Sequence, residues 1–347
     1  MRFLVTADWH CRNKPDGMLG IYRQGLRSTT QAALQNGCPY VLFAGDLIHE
    51  RHCFIIELLL MIYEELAWAK SQGVTWVLIP GNHDIPAKHH PQNSVLGLLQ
   101  GVAKVYLTPQ VLRGDGYTIY LSPWRLGERF KKMQTDWIPI VRADDSPFKL
   151  HLAHIGLLEG RFSPSNTYRA DQPVRLSDMR PELYTMTLCG DYHMTQQLHD
   201  RLWYVGAPIA HMHGDQQDQG VWLVDTRTRD IRQIPLPGDW PQFISLTPTS
   251  ELKLDLSPRK FYQIHCSPEL QPYYFKTYGK AINVKLQRIP RQEERKGGRR
   301  LDGVAEGDDE EVLQVWLAQR NLTHPKYLEL GLEYLRRAKV KMFEGQV

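Results

Sequence analysis

Short apolar runs rich in β-branched and aromatic residues alternate with longer stretches of helical spacing in the first part of the chain. Residues 3–7, 40–44 and 75–79 read as strands. Between them, residues 22–35 and 55–70 place apolar side chains at intervals of three and four, and Gly37 and Gly73 supply C-terminal stops. Such alternation predicts an α/β sheet. From Val105 to about Ile234 the texture changes to short strands separated by Gly, Pro and Asp turns. Residues 117–121, 149–153, 185–188, 202–205 and 221–224 are the clearest, and they predict a second sheet packed on the first.

Pro235, Pro237 and Pro241 then mark a boundary, followed by strand-like runs at 261–265 and 281–287. Residues 288–307, rich in Arg, Glu and Gly, read as a flexible linker. Helical periodicity resumes at Asp308 or Asp309, with Val312, Leu313, Trp316 and Leu317 on one face. A break at Pro325 precedes a second helix over 327–340. The expected organisation is a catalytic domain at 1–235, a small domain at 236–290, a linker at 291–307 and a helical segment at 308–347.

Composition narrows the picture only slightly. With 42% apolar and 23% charged residues, the 347-residue chain has the balance of a globular protein with one large domain and an appendage. No apolar run is long enough to span a bilayer, and the start lacks the apolar core of a signal peptide. Cys11, Cys38, Cys53, Cys189 and Cys266 are scattered and form no C-x-x-C, which argues against a disulfide framework or a structural zinc cluster. A reducing cytoplasm is the expected location. A net charge of +4 is too small to announce a nucleic-acid partner.

The chemistry lies in where the apolar runs end. Asp8-Trp9-His10, Gly45-Asp46-Leu47-Ile48-His49, Gly81-Asn82-His83-Asp84, His154 and Gly190-Asp191-Tyr192-His193 each follow such a run at its C-terminal edge. Taken singly, each has a blander reading as a turn, a surface histidine or a packed one. Together they bring oxygen and imidazole donors to one rim five times, where α/β sheets place their ligand sites. Mixed carboxylate, imidazole and amide donors suit Mn, Fe or Zn, with Mg at the hard end.

These motifs resemble those of the calcineurin-like metallophosphoesterases, and within them the nuclease subunit of the SbcCD-type complex, especially phage recombination endonuclease subunits. Asp46-Leu47-Ile48-His49, the L-x-H-x-G context of His154 and Tyr204-Val205-Gly206-Ala207-Pro208 carry the closer resemblance, which covers about the first 235 residues. It implies an α/β/β/α fold: two packed mixed β-sheets flanked by helices, with a small α+β cap and C-terminal helices. It also implies two divalent metals, manganese before magnesium, bridged by Asp46. One would be held further by Asp8, His10 and His193, the other by Asn82, His154 and whatever stands at position 191. Two cations about 3.5–4 Å apart can activate a water and clamp the phosphoryl oxygens of an in-line displacement. By the same resemblance His83 steadies or protonates the leaving oxygen and His49 touches the substrate phosphate. Asp84 could orient the His83 ring.

The family pattern G-H-x-H reads Gly190-Asp191-Tyr192-His193 here. Asp191 can still ligate, making the site harder and more negative, or it can stand behind the ligands. His211 and His213 look like the displaced His-x-His pair, but they follow the Gly206-Ala207-Pro208 turn and are expected in a substrate-facing or exposed loop. His89 and His90 are expected on a surface loop.

The second half resembles a DNA-capping region, then a linker and helices that dock on a partner ATPase. Lys276, Lys280, Lys285, Arg288, Arg291, Arg295, Lys296, Arg299 and Arg300, interleaved with Tyr273, Tyr274, Phe275 and Tyr278, could neutralise phosphates and stack bases. Glu293 and Glu294 dilute this patch. The expected function is a DNA exonuclease, with endonuclease activity as a further expectation, working as a homodimer with an SMC-like coiled-coil ATPase in recombination or double-strand-break repair. Two alternatives are a stand-alone phosphatase or phosphodiesterase and a partner-binding module that has lost catalysis.

Overall fold

Strand and helix alternate at the start as the apolar spacing predicts: β1 (Arg2–Thr6), α1 (Met18–Gln35), β2 (Tyr40–Ala44), α2 (Ile56–Ser71) and β3 (Thr75–Ile79). Gly37 and Gly73, at φ +65° and +83°, stop the two helices in the left-handed conformation that glycine adopts without strain. The computed structural model describes residues 1–12, 18–52, 56–86, 93–161, 174–215, 220–288, 313–314, 317 and 326–333. The expected linker, most of the C-terminal segment, and His89 and His90 lie outside these residues.

Then come β4 (Lys104–Val105), β5 (Gln110–Gly114), β6 (Tyr117–Ser122), α3 (Gly127–Ala143), β7 (Lys149–His154) and β8 (Met186–Gly190). They are followed by β9 (Gln196–His199), β10 (Leu202–Tyr204), β11 (Val221–Asp225) and β12 (Asp230–Ile234). Two six-stranded mixed sheets result, ordered β12-β11-β1-β2-β3-β4 and β5-β6-β7-β8-β10-β9. β11 was expected in the second sheet. It pairs antiparallel with β1 instead, Val5 opposite Trp222, a long-range pairing that no local spacing encodes.

Alternate residues of each strand enter different cores. Phe3, Val5, Leu42, Val77, Leu121, Leu150, Leu152 and Leu188 pack between the sheets. Leu4, Val41, Phe43 and Trp76 face the outer layer of α1 and α2. On the far side α3 buries Phe130, Met133, Trp137 and Val141. The sequence reading missed α3 because Pro139 inside it mimics a helix breaker, although its buried positions recur every three to four residues.

A third sheet, β13 (Gln242–Leu246), β14 (Lys260–Cys266) and β15 (Val284–Arg288), is parallel throughout and carries α4 (Gln271–Tyr278). Here the reading of the aromatics needs correction. Tyr274 and Tyr278 are buried, and their hydroxyls bond the backbone of the segment before β14: Tyr274 donates to the Ser250 carbonyl at 2.9 Å, and Tyr278 accepts from the Leu254 N–H at 2.8 Å. They are core, with no face left for a base, whereas Phe275 stays 65% exposed.

His151 on β7 is fully buried, its Nε2 within 2.7 Å of the Ser122 hydroxyl. Burial holds its pKa down at about 3 instead of the ordinary 6.5. The unfolded chain takes up this proton as pH falls through 6.5 while the folded chain refuses it until about 3. Stability therefore drops across that window, by up to about 1.4 kcal/mol per pH unit from this group. His151→Leu should show a shallower loss than wild type in denaturant titrations between those pH values, and parallel curves would refute the assignment.

Candidate metal centre

β1, β2, β3, β7 and β8 all end at the same rim, so the ten residues singled out in the sequence converge there. The turns are tied to one another through their backbones. Asp8 N–H donates to the Gly45 carbonyl (2.9 Å), His10 N–H to that of Asp46 (3.0 Å), and Asp191 N–H to the Asp8 carboxylate (3.1 Å). Of the six described non-glycine residues at positive φ, four are candidate ligands: Asp8 (54°), His10 (42°), Asp46 (60°) and Asp191 (110°). Strain of about 1–3 kcal/mol at each persists only where the surroundings impose it, and it concentrates at functional sites. Glycine is required where the turns cross: a Cβ on Gly45 would overlap the His154 ring and one on Gly81 the Asp46 carboxylate.

Asp46 lies at the middle of the cluster. Its two oxygens face different partners, Oδ2 at 3.5 Å from His10 Nε2 and Oδ1 at 3.5 Å from His154 Nε2. Asp8 and His10 can join Asp46 in one donor group. The His193 ring lies 4.7 Å from that of His10. On the other side, His154 Nε2 meets Asp191 Oδ1 at 3.5 Å and Asn82 Oδ1 at 3.3 Å. His154 Nδ1 sits 2.6 Å from the Ala44 carbonyl, which fixes its proton there and turns the Nε2 lone pair inward.

Burial pushes the Asp8 carboxyl up to about 8, with Asp46 and Asp191 adding to it. The same burial lowers His10 far below its ordinary value, helped by His193 and His83. His154 is raised despite burial, chiefly by Asp46. The raised Asp8 and His154 are the signs of buried anions short of counter-charge. The Asn82 amide gives an independent indication: its oxygen is turned toward acceptors only, where the reversed amide would donate to Asp46 at 3.0 Å. Oxygen facing oxygen among buried carboxylates is an arrangement a cation reconciles, and the donor set fits divalent metal.

Three side chains take up roles the sequence did not reveal. Asp84 does not touch the His83 ring, contrary to expectation. Its carboxylate accepts N–H bonds from Asp46 (2.8 Å), Leu47 (2.9 Å), Ile48 (3.0 Å) and Gly81 (2.9 Å), locking two turns together. Burial and the Asp46 charge push it up to about 7, against the pull of those donors. The His83 ring is held instead by the His49 carbonyl, 2.6 Å from its Nδ1, and stacks on the His49 ring. His49 Nδ1 approaches His10 Nδ1 at 3.4 Å, and burial lowers its pKa to about 4.

Asp215, which the sequence reading passed over, lies 3.3 Å from His193 Nδ1 and accepts the His211 N–H at 2.8 Å. It is the carboxylate that aims His193, as carboxylates behind metal-ligating histidines do. His211 is not in an exposed loop: it is 1% exposed, with Nε2 2.8 Å from the Asp8 carbonyl. His213 turns away toward Ser245 and Phe243 on β13, so the two do not form a His-x-His ligand pair. The Asp after His-Met-His-Gly was visible in the sequence but carried no signal of its own.

Buried carboxylates, imidazoles and an amide converging on the carboxyl rim of two packed sheets make a donor set for divalent metal. The calcineurin-like phosphoesterase profile matches residues 1–195, and the chain belongs to that family. It is similar to exonuclease subunit 1 of Enterobacteria phage T4, 25% identical over 254 residues, covering 69% of each chain. Among solved structures, a dimetal phosphatase from Danio rerio aligns at TM-score 0.40 and 12% identity, over 58% of this chain and 85% of that one. A Pseudomonas putida nuclease aligns at TM-score 0.31 and 16% identity, over 65% and 84%. No helix among the described residues is long and apolar enough to cross a membrane.

Proposed function

We propose that this protein is a two-metal DNA nuclease, working as the phosphodiesterase subunit of a recombination or repair complex with a coiled-coil ATPase. The observation that carries the reading is Asp46 facing His10 with one oxygen and His154 with the other, with further donors grouped on each side. Asp8, His10 and His193 would hold one ion, and Asn82, His154 and Asp191 the other. Divalent metal there would supply Lewis-acid activation of water and charge for the phosphoryl oxygens. His83, its Nδ1 turned to the His49 carbonyl, presents Nε2 as the proton donor for the leaving oxygen. His49 beside it contacts the phosphate. Asp84 and Asp215 keep the turns and His193 in place.

Similarity to an exonuclease subunit supports DNA as substrate and a partner chain. The third sheet with α4 is the proposed DNA cap, and the C-terminal helical segment the proposed docking element for the ATPase. Digestion of labelled linear duplex should require divalent metal, with Mn outperforming Zn because the donors are oxygen-rich. Undiminished cleavage after exhaustive chelation would sink the proposal.

A further inference from the structure

A hollow of about 300 Å³ opens beside α3, lined by Arg125, Arg129, Lys132, Met133 and Trp137 among others. The strand that leads to it, β6, runs parallel beside β7, which ends in His154. β6 ends at Ser122, which pairs with Ala153, the residue before His154. Two residues on, the Trp124 N–H donates to the Pro80 carbonyl at 2.9 Å, immediately before Gly81, Asn82 and His83. Arg125 follows directly on the residue bonded to the start of the turn that carries Asn82 and His83.

Arg125 Nε is buried with no hydrogen-bond partner, and no carboxylate of the described residues pairs with it. Asp136, which also lines the hollow, is engaged by Lys132 at 3.0 Å. Burial lowers the Arg125 guanidinium below its ordinary pKa, and Arg129 adds to the effect. A half-buried guanidinium with an unbonded Nε next to a second guanidinium calls for an anion, and the planar fork fits a phosphate.

We propose that this hollow is a phosphate subsite, in which Arg125 grips a backbone phosphate of the polynucleotide a short way along the strand from the bond being cleaved. The proposal rests on the nuclease reading and adds to it a contact that positions the strand without reading its sequence. The test compares wild type, Arg125→Gln and Arg125→Lys on a labelled oligonucleotide and on a small chromogenic phosphodiester too short to reach the hollow. In Arg125→Gln the ratio of kcat/KM on DNA to kcat/KM on the ester should fall about tenfold, with a salt slope of log(1/KM) for DNA shallower by about one. Arg125→Lys should recover part of the ratio, since it keeps the charge and loses the fork. An unchanged ratio, including the case where both substrates suffer equally, overturns the subsite. Wild-type protein that hydrolyses the ester but no DNA would instead overturn the nuclease reading, and the subsite with it.

Discussion

His83→Ala should cut DNA cleavage by about 100–10,000-fold while metal content stays at the wild-type level, the loss of a proton donor at the leaving oxygen. The backbone supports this separation of effects. The His83 N–H that bonds Asp46 Oδ1 at 2.8 Å survives truncation of the side chain, so the Asp46 carboxylate keeps its support. The loss should fall on kcat more than on KM, because the proton is needed only as the leaving oxygen departs. A competing arrangement is present on the same rim, however: His10, His49 and His83 could together hold an ion. Elemental analysis decides between them. A variant that loses a metal equivalent makes His83 a ligand and removes it from the chemistry.

Asp191→Ala should empty or weaken one of the two metal positions, because neither water nor a methyl group replaces an anionic oxygen donor beside His154. Its carboxylate stands 3.5 Å from His154 Nε2, on the side where Asn82 also points. Asp191→His should keep substantial activity and move the preference toward softer ions, since it restores the imidazole that the family pattern has at this position. Backbone strain at φ 110° complicates the alanine variant, and Asp191→Asn, which retains the shape without the charge, serves as its control. If both Asp191→Ala and Asp191→His bind two metals and lose only about 10–100-fold in activity, Asp191 orients the ligands and is not one of them.

The ligand candidates were legible because each follows an apolar run, and a run of β-branched and aromatic residues announces the strand end at which a catalytic turn sits. Asp8, Asp46, Asn82, His154 and His193 could be found that way without knowing which strands are neighbours. Residues that support them could not. Asp84 was read as a partner of the adjacent His83, but its carboxylate gathers N–H groups from a turn far away in sequence. Asp215 lies in a segment with no strand to flag it, and Tyr274 looked like a stacking platform until α4 folded its ring onto β14.

By itself the sequence determined the alternating elements of the first half and a set of donors at strand ends, since these follow from periodicity and local turn chemistry. Only the tertiary structure decided that β11 joins the first sheet beside β1 and that two separate sheets bring their rims together. It also decided that Asp46 faces both halves of the cluster and that Arg125 Nε is buried without a hydrogen-bond partner. Those outcomes depend on contacts between residues far apart in the chain, whose energies come from burial and shared hydrogen bonds that no local window contains.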